Sequence, residues 1–310
     1  MSILVVGTIA LDTIETPWEK ADQVLGGSAT YISLAARPLV NPVGVTAVIG
    51  HDFPEEYTKL LQSNDLDLSG VQHIRDQDTF AWGGSYRENL NTRDTIFTHL
   101  NVLAGFRPVV PDKYVDSSVL CLGNLDPKIQ SDALNQVSEK IFVACDTMNY
   151  WIQNTQVELK EIFQRIDCLV INDEEAHQIT NEYNLFTAAR RVLELGPDIL
   201  IIKKGEHGAM LFVEEQIFVV PGFPLEYVQD PTGAGDAFLG AFAGSLAQQS
   251  YIGLDALKRG IIYGCTVASF CVEAMGPHKL NQLPITDIEE RVRSFQGITQ
   301  WGALHEQTGV

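Results

Sequence analysis

Asp230-Pro231-Thr232-Gly233-Ala234-Gly235-Asp236-Ala237-Phe238 is the stretch on which the reading of this chain turns. A polar, glycine-rich loop runs straight into a helix expected over Asp236 to about Ala247. Glycine leaves the backbone N–H groups of 233–235 uncovered, and a helix N-terminus places partial positive charge behind them, so the loop is built to cradle an anion. A carboxylate at that place, Asp236, is set to act as a base on whatever lies beside the anion. An ordinary turn with Asp236 as helix cap is the plain alternative. The flanking Asp230 and Thr232 favour the chemical one, because Gly-x-Gly by itself is common. Gly240, Ala243, Gly244 and Ala247 recur at helical spacing, giving the helix one face small enough to press closely on a neighbour.

Outward from this loop, the pattern is strand then helix, repeatedly. Apolar, β-branched runs at Ile3–Ile9, Val43–Ile49, Val119–Leu122, Ile141–Cys145, Cys168–Ile171 and Ile199–Ile202 alternate with helical segments. Such alternation predicts an α/β fold with a mostly parallel sheet and helices on both faces. Gly208–Val213 and Gln216–Val220 read as an antiparallel pair, and helices are expected near 254–273 and 286–294. Gly26-Gly27-Ser28 opens a helix that Pro38 stops. Thr79 to Leu103 differs: Phe80, Trp82, Gly84 and Tyr86 alternate with Ala81, Gly83, Ser85 and Arg87, and Asn89-Leu90-Asn91 reads as a turn. This hairpin has no helix to cover it and is expected to be a lid. No linker divides the chain, so one domain over 1–310 is expected, with a β lid from about 12–26 and 76–105.

The totals bound the function. The chain of 310 residues carries a formal net charge of -19, which argues against nucleic-acid or anionic-membrane partners. Five cysteines at wide spacing give no metal pattern and suggest buried, reduced thiols in a cytoplasmic protein. The start lacks a signal peptide's basic region, and no run approaches membrane length. After Ile3–Ile9 there is neither Gly-x-Gly-x-x-Gly nor a Walker lysine loop, which counts against a dehydrogenase or a P-loop enzyme. Asp12 follows at the strand's end, where open α/β sheets place ligands, although a turn-forming aspartate reads equally well.

With the first strand, the double glycine, the lid and the 230–236 loop together, the chain resembles the ribokinase-like (PfkB) carbohydrate kinases over nearly its whole length. The resemblance implies a three-layer sandwich with a β lid and transfer of the γ-phosphoryl of ATP to a hydroxyl of a sugar or sugar-like molecule. By that likeness Asp236 is the general base, and Gly233, Ala234 and Gly235 form the anion hole. Asp12, Gly26, Gly27 and Asp126 meet the acceptor, although Asp126 before Pro127 is also an ordinary helix cap. Asn172 and Glu175 match an Asn-x-x-Glu motif that organises Mg²⁺ and phosphates through water. The same residues would also make a capping box.

Lys203, Gly205 and Gly208 match a nucleotide-bordering turn, with a plain hairpin turn as the alternative for the lysines. Asp230 and Thr232 match positions that bind a monovalent cation, K⁺, in many members. Tyr31 stands where ribokinase has an asparagine, which weakens a claim for ribose. The competing functions are a nucleoside kinase of the same family and a non-catalytic nucleotide-binding protein of the same fold. A homodimer through the lid is also expected.

Overall fold

The computed structural model describes residues 1–90 and 92–299; Asn91, part of the expected turn, lies outside them. In chain order the first elements are β1 (Ile3–Val6), β2 (Ala10–Glu15), β3 (Lys20–Gly26), α1 (Ser28–Ala36), β4 (Val43–Ile49), α2 (Glu55–Ser63) and β5 (Leu66–His73). The hairpin β6 (Ala81–Tyr86) and β7 (Arg93–His99) follows. Then come β8 (Val119–Leu122), α3 (Pro127–Leu134), β9 (Phe142–Asp146), α4 (Asn149–Asn154), α5 (Gln156–Phe163), β10 (Cys168–Asn172), α6 (Asp173–Thr180) and α7 (Leu185–Leu193). The chain continues with β11 (Ile199–Lys203), β12 (Ala209–Val213), β13 (Gln216–Val220), α8 (Ala234–Ala247), α9 (Leu254–Cys271) and α10 (Ile285–Thr299).

Two sheets result. The main one has nine strands in the order β13-β12-β11-β10-β9-β8-β1-β4-β5, parallel except at β11–β12–β13. Its strands are apolar on both faces because helices cover both. Alternate residues go to opposite layers. Ile3 and Val5 join the core beneath α1, α8 and α9, while Leu4 and Val6 join the one that Ile129, Ile162 and Val192 fill from α3, α5 and α7. The expected small face of α8 is used as read. A Cβ on Gly240 would lie 2.1 Å from the backbone oxygen of Ile32, so α1 and α8 touch backbone to backbone.

The second sheet, β3-β2-β6-β7, is formed by the stretches expected as a lid. One sequence expectation is corrected here. The run Ile3–Ile9 is not one strand: it ends at Val6, and Asp12 belongs to β2, opposite Trp82 of β6. With no helix over it, the hairpin is held by β2, which pairs parallel with β6, and Ile14, Val24, Tyr86 and Met275 form a small core of its own. One strand, β5, is absent from the sequence reading. Its LDLSGVQH pattern is half polar because it forms the sheet's edge. All five cysteines are free and buried, and burial pushes every thiol up.

Candidate active site

The loop 230–233 leads into α8, whose N-cap is Gly233 at φ 75°. A Cβ there would lie 2.3 Å from the ring of Tyr31, so both the left-handed backbone and the close approach require glycine. The helix starts two residues earlier than the sequence suggests, which makes Asp236 a residue of the first turn rather than the cap. The amide of Ala234 is also not open as expected: it donates to the carbonyl of Pro231 at 3.2 Å. The positive end of α8 still faces the loop, since first-turn N–H groups have no acceptor within the helix. Asp236 is partly buried. Burial pushes its carboxyl up to about 7 and Asp146 adds to this, while Lys203 and Arg93 pull it back.

On one side of this loop lies Asp12, only 4% exposed, with Oδ1 lacking a hydrogen-bond partner. Burial, with Asp230 and Asp236 nearby, pushes it up to about 8, although the backbone N–H groups of Gly27 and Trp82 act to lower it. A Cβ on Gly26 would lie 2.0 Å from Asp12 Oδ2, and one on Gly27 (φ 92°) would lie 2.4 Å from the carbonyl oxygen of Thr8. The double glycine therefore seats the Asp12 carboxylate and turns the chain into α1. Tyr31, 1% exposed, packs its ring on Gly233, and its hydroxyl has no partner. Asp126 instead caps α3, its Oδ1 accepting from Lys128 N–H at 2.9 Å.

On the other side, a cavity of about 1090 Å³ runs from the loop to α9 and the 222–229 segment. Lys203, Gly205, Gly208, Gly235 and Phe238 are among its walls. Gly205 and Gly208 form a tight turn after β11, with Lys204 N–H on the Gly208 carbonyl at 2.7 Å. Gly208 sits at φ 89°, and a Cβ would meet the Val220 carbonyl at 2.0 Å. Lys203, the last residue of β11, turns inward and pairs with Asp146 at 2.9 Å. Burial would depress its ammonium, but Asp146 and Glu175 more than offset this, so it is held above its ordinary value.

Asn172 and Glu175 make the capping box. Asn172 Oδ1 accepts from Glu175 N–H and Glu175 Oε2 from Asn172 N–H, both at 2.8 Å. Glu175 is nonetheless buried beside Asp146 and Lys203, and burial pushes it up to about 7. Asp146 was not singled out in the sequence; its signal is an acid ending an otherwise apolar strand.

Asp230 is fully buried, one oxygen taking the N–H of Thr232 and the other that of Gly276, each at 2.8 Å. The Thr232 hydroxyl donates to Tyr86 Oη at 3.0 Å, so the lid is latched to the loop. Opposite Tyr86 on β7, Arg93 stacks on Trp82 at 5.0 Å, and its charge pulls against the burial that pushes the Tyr86 hydroxyl up.

Asp12, Glu175 and Asp236 are all held above the values they would have unfolded. Their contribution to stability is fully present below about pH 4 and is lost as pH rises through 7 to 8. Asp67 runs the other way: burial would raise it, but Lys113, Ser69 and Tyr114 together hold it down, so it adds nothing that changes above pH 5. The ligand-free protein should therefore melt at a lower temperature at pH 8 than at pH 5.5. Calorimetry across that range checks this, and a flat or rising Tm would refute it.

A carboxyl pushed toward neutrality in the first turn of a helix, a glycine-bearing loop before it, and a cavity across from a second buried acid on a three-layer α/β frame suit phosphoryl transfer. The family model for pfkB family carbohydrate kinases matches residues 3–283, and the chain belongs to that family. It is accordingly a phosphotransferase acting from ATP on an alcohol group. Among curated relatives, a cytidine kinase of Thermococcus kodakarensis is 29% identical over 247 residues, 78% of this chain and 87% of the relative. An inositol 3-kinase of Arabidopsis thaliana is 24% identical, spanning 94% of this chain and 79% of the relative. In fold, the crystal structure of a nucleoside kinase from Methanocaldococcus jannaschii superposes with a TM-score of 0.78 at 22% identity, covering 94% of this chain and 98% of the other. No helix among the described residues is long and apolar enough to cross a membrane.

Proposed function

We propose that this protein transfers the γ-phosphoryl group of ATP to a hydroxyl of a neutral sugar or sugar-like polyol, with Asp236 as general base. The observation that carries the reading is the placement of Asp236: a carboxyl brought near neutrality by burial, in the first turn of α8, with the anion loop before it. Asp12, seated on Gly26 and Gly27, holds an acceptor hydroxyl through the otherwise unpartnered Oδ1. Asp236 takes the proton of the reacting hydroxyl as its oxygen bonds to phosphorus. The positive end of α8, at Gly233–Gly235, stabilises the charge on the transferring group, and proton loss need only be late in a loose transition state. The donor lies along the cavity, bordered by Lys203, Gly205 and Gly208.

Mg²⁺, when bound with ATP, neutralises phosphate charge. Glu175 fits its water shell, because one of its oxygens serves the capping box and the other is left for water. For K⁺, Asp230 fits better than Thr232. Asp230 is a fully buried carboxylate with two backbone donors, whereas the Thr232 hydroxyl already serves Tyr86. Turnover should then slow when K⁺ is replaced by a large organic cation at constant ionic strength. An unchanged rate would leave Asp230 as loop structure only.

A nucleoside acceptor is the second reading, favoured by the cytidine kinase likeness and by Trp82 and Tyr86 on the lid. A turnover screen of sugars, polyols and nucleosides with Mg-ATP decides between them. Turnover with nucleosides alone would overturn the first, and no turnover with any alcohol would overturn both.

A further inference from the structure

Three neighbouring parallel strands end together at the site. In register, Val170 of β10 lies opposite Asp146, and Asn172 lies opposite Lys203, so Asp146 and Lys203 flank the end of β10 from its two sides. Their side chains close across it, Nζ to Oδ2 at 2.9 Å, with exposures of only 15% and 8%. Asp146 is itself fixed. Its Oδ1 accepts the N–H of Thr147 at 2.8 Å, and its carbonyl accepts from Gln130 Nε2 at 3.1 Å. The ammonium is pressed to the anion loop, 2.9 Å from where a Cβ on Gly235 would stand, and it lines the cavity.

Stability alone does not explain this pair, since desolvating two charges offsets most of their attraction and an apolar pair of similar size would serve as well. Position does. The other carboxylates around Lys203 are Glu175 and Asp236. An unanchored ammonium would fall onto one of them, and on Asp236 it would tie up the base.

We propose that Asp146 is a positioning residue: it holds the Lys203 ammonium beneath Gly235, turned to a phosphate oxygen of the nucleotide and away from Asp236. This rests on the kinase reading and deepens it. Lys203 then meets phosphate by a charge-assisted hydrogen bond, and Asp146 acts only through Lys203.

The test is affinity for a non-hydrolysable ATP analogue measured by calorimetry, which needs no turnover and leaves Asp236 in place. The variants are D146N, K203M and both together. D146N should weaken ATP binding by about tenfold, the scale of one charge-assisted hydrogen bond. K203M should weaken it further, because it leaves a bare buried carboxylate facing the phosphates. Adding D146N to K203M should therefore strengthen ATP binding. That reversal of sign is what a merely structural role of Asp146 does not produce. If D146N alone fails to fold, the double variant against K203M carries the same test. Loss of the same sign in both backgrounds, or no change in either, would overturn the inference alone. Failure of the unsubstituted protein to bind the analogue would overturn the kinase reading and the inference with it.

Discussion

Replacing Asp236 by asparagine should lower kcat by ~10²–10⁴-fold, the range typical of losing a general base. Asparagine keeps the size and hydrogen-bonding reach of the side chain in the first turn of α8, so fold and ATP affinity should survive. It cannot take a proton from the acceptor. The same residue sets the pH dependence. A base pushed up to about 7 must ionise to work, so wild-type activity should fall about tenfold per pH unit below that point. In D236N that acid limb should vanish along with the bulk of the rate. Steady-state kinetics from pH 5.5 to 8.5 on both proteins checks the pair of expectations. A folded D236N protein with near wild-type kcat would reduce the loop to a phosphate cradle and move the base elsewhere.

The parts that sequence could carry were those whose cause is local. The strands β8 to β11 are continuous apolar runs because helices bury both faces, and each was legible to within a residue or so at the ends. The caps at Asp126 and Asn172 were legible for the same reason: a cap needs only its own turn. What escaped depended on partners distant in the chain. β5, LDLSGVQH, has little apolar pattern because it lies at the edge of the main sheet, and it becomes a strand only by pairing with β4. Asp146 looks like a strand end until the register puts it across β10 from Lys203. Lys203 matches a nucleotide-bordering turn, but its inward pairing with Asp146, while Lys204 goes to the turn, follows only from the direction of β11. Tyr31 reads as standing where ribokinase has an asparagine; that its ring packs on Gly233 is a fact of the α1–α8 packing.

Gly26→Ala should cost acceptor recognition by an amount out of proportion to one methyl group. Gly26 ends β3 with a backbone that alanine can adopt, since its φ is not positive. The three nearest atoms to an added Cβ all belong to Asp12, Oδ2 at 2.0 Å, Cγ at 2.5 Å and Cβ at 3.2 Å. The methyl therefore meets one thing, the carboxylate proposed to hold an acceptor hydroxyl. Asp12 cannot simply turn aside, because it is nearly fully buried. A displacement of about 1 Å at a positioning group is worth ~10²-fold in kcat/KM. The loss should appear mainly as a raised KM for the acceptor, with KM for ATP near wild type, as uniform binding energy is removed on one side of the site. Asp12→Ala should produce a loss of the same kind by deleting the carboxylate. The two changes must then be non-additive: once Asp12→Ala has emptied the space, Gly26→Ala has nothing left to displace and should cost little more. Independent losses that multiply in the double variant would mean that the double glycine acts through the backbone turn into α1, and that Asp12 holds its acceptor without help from Gly26.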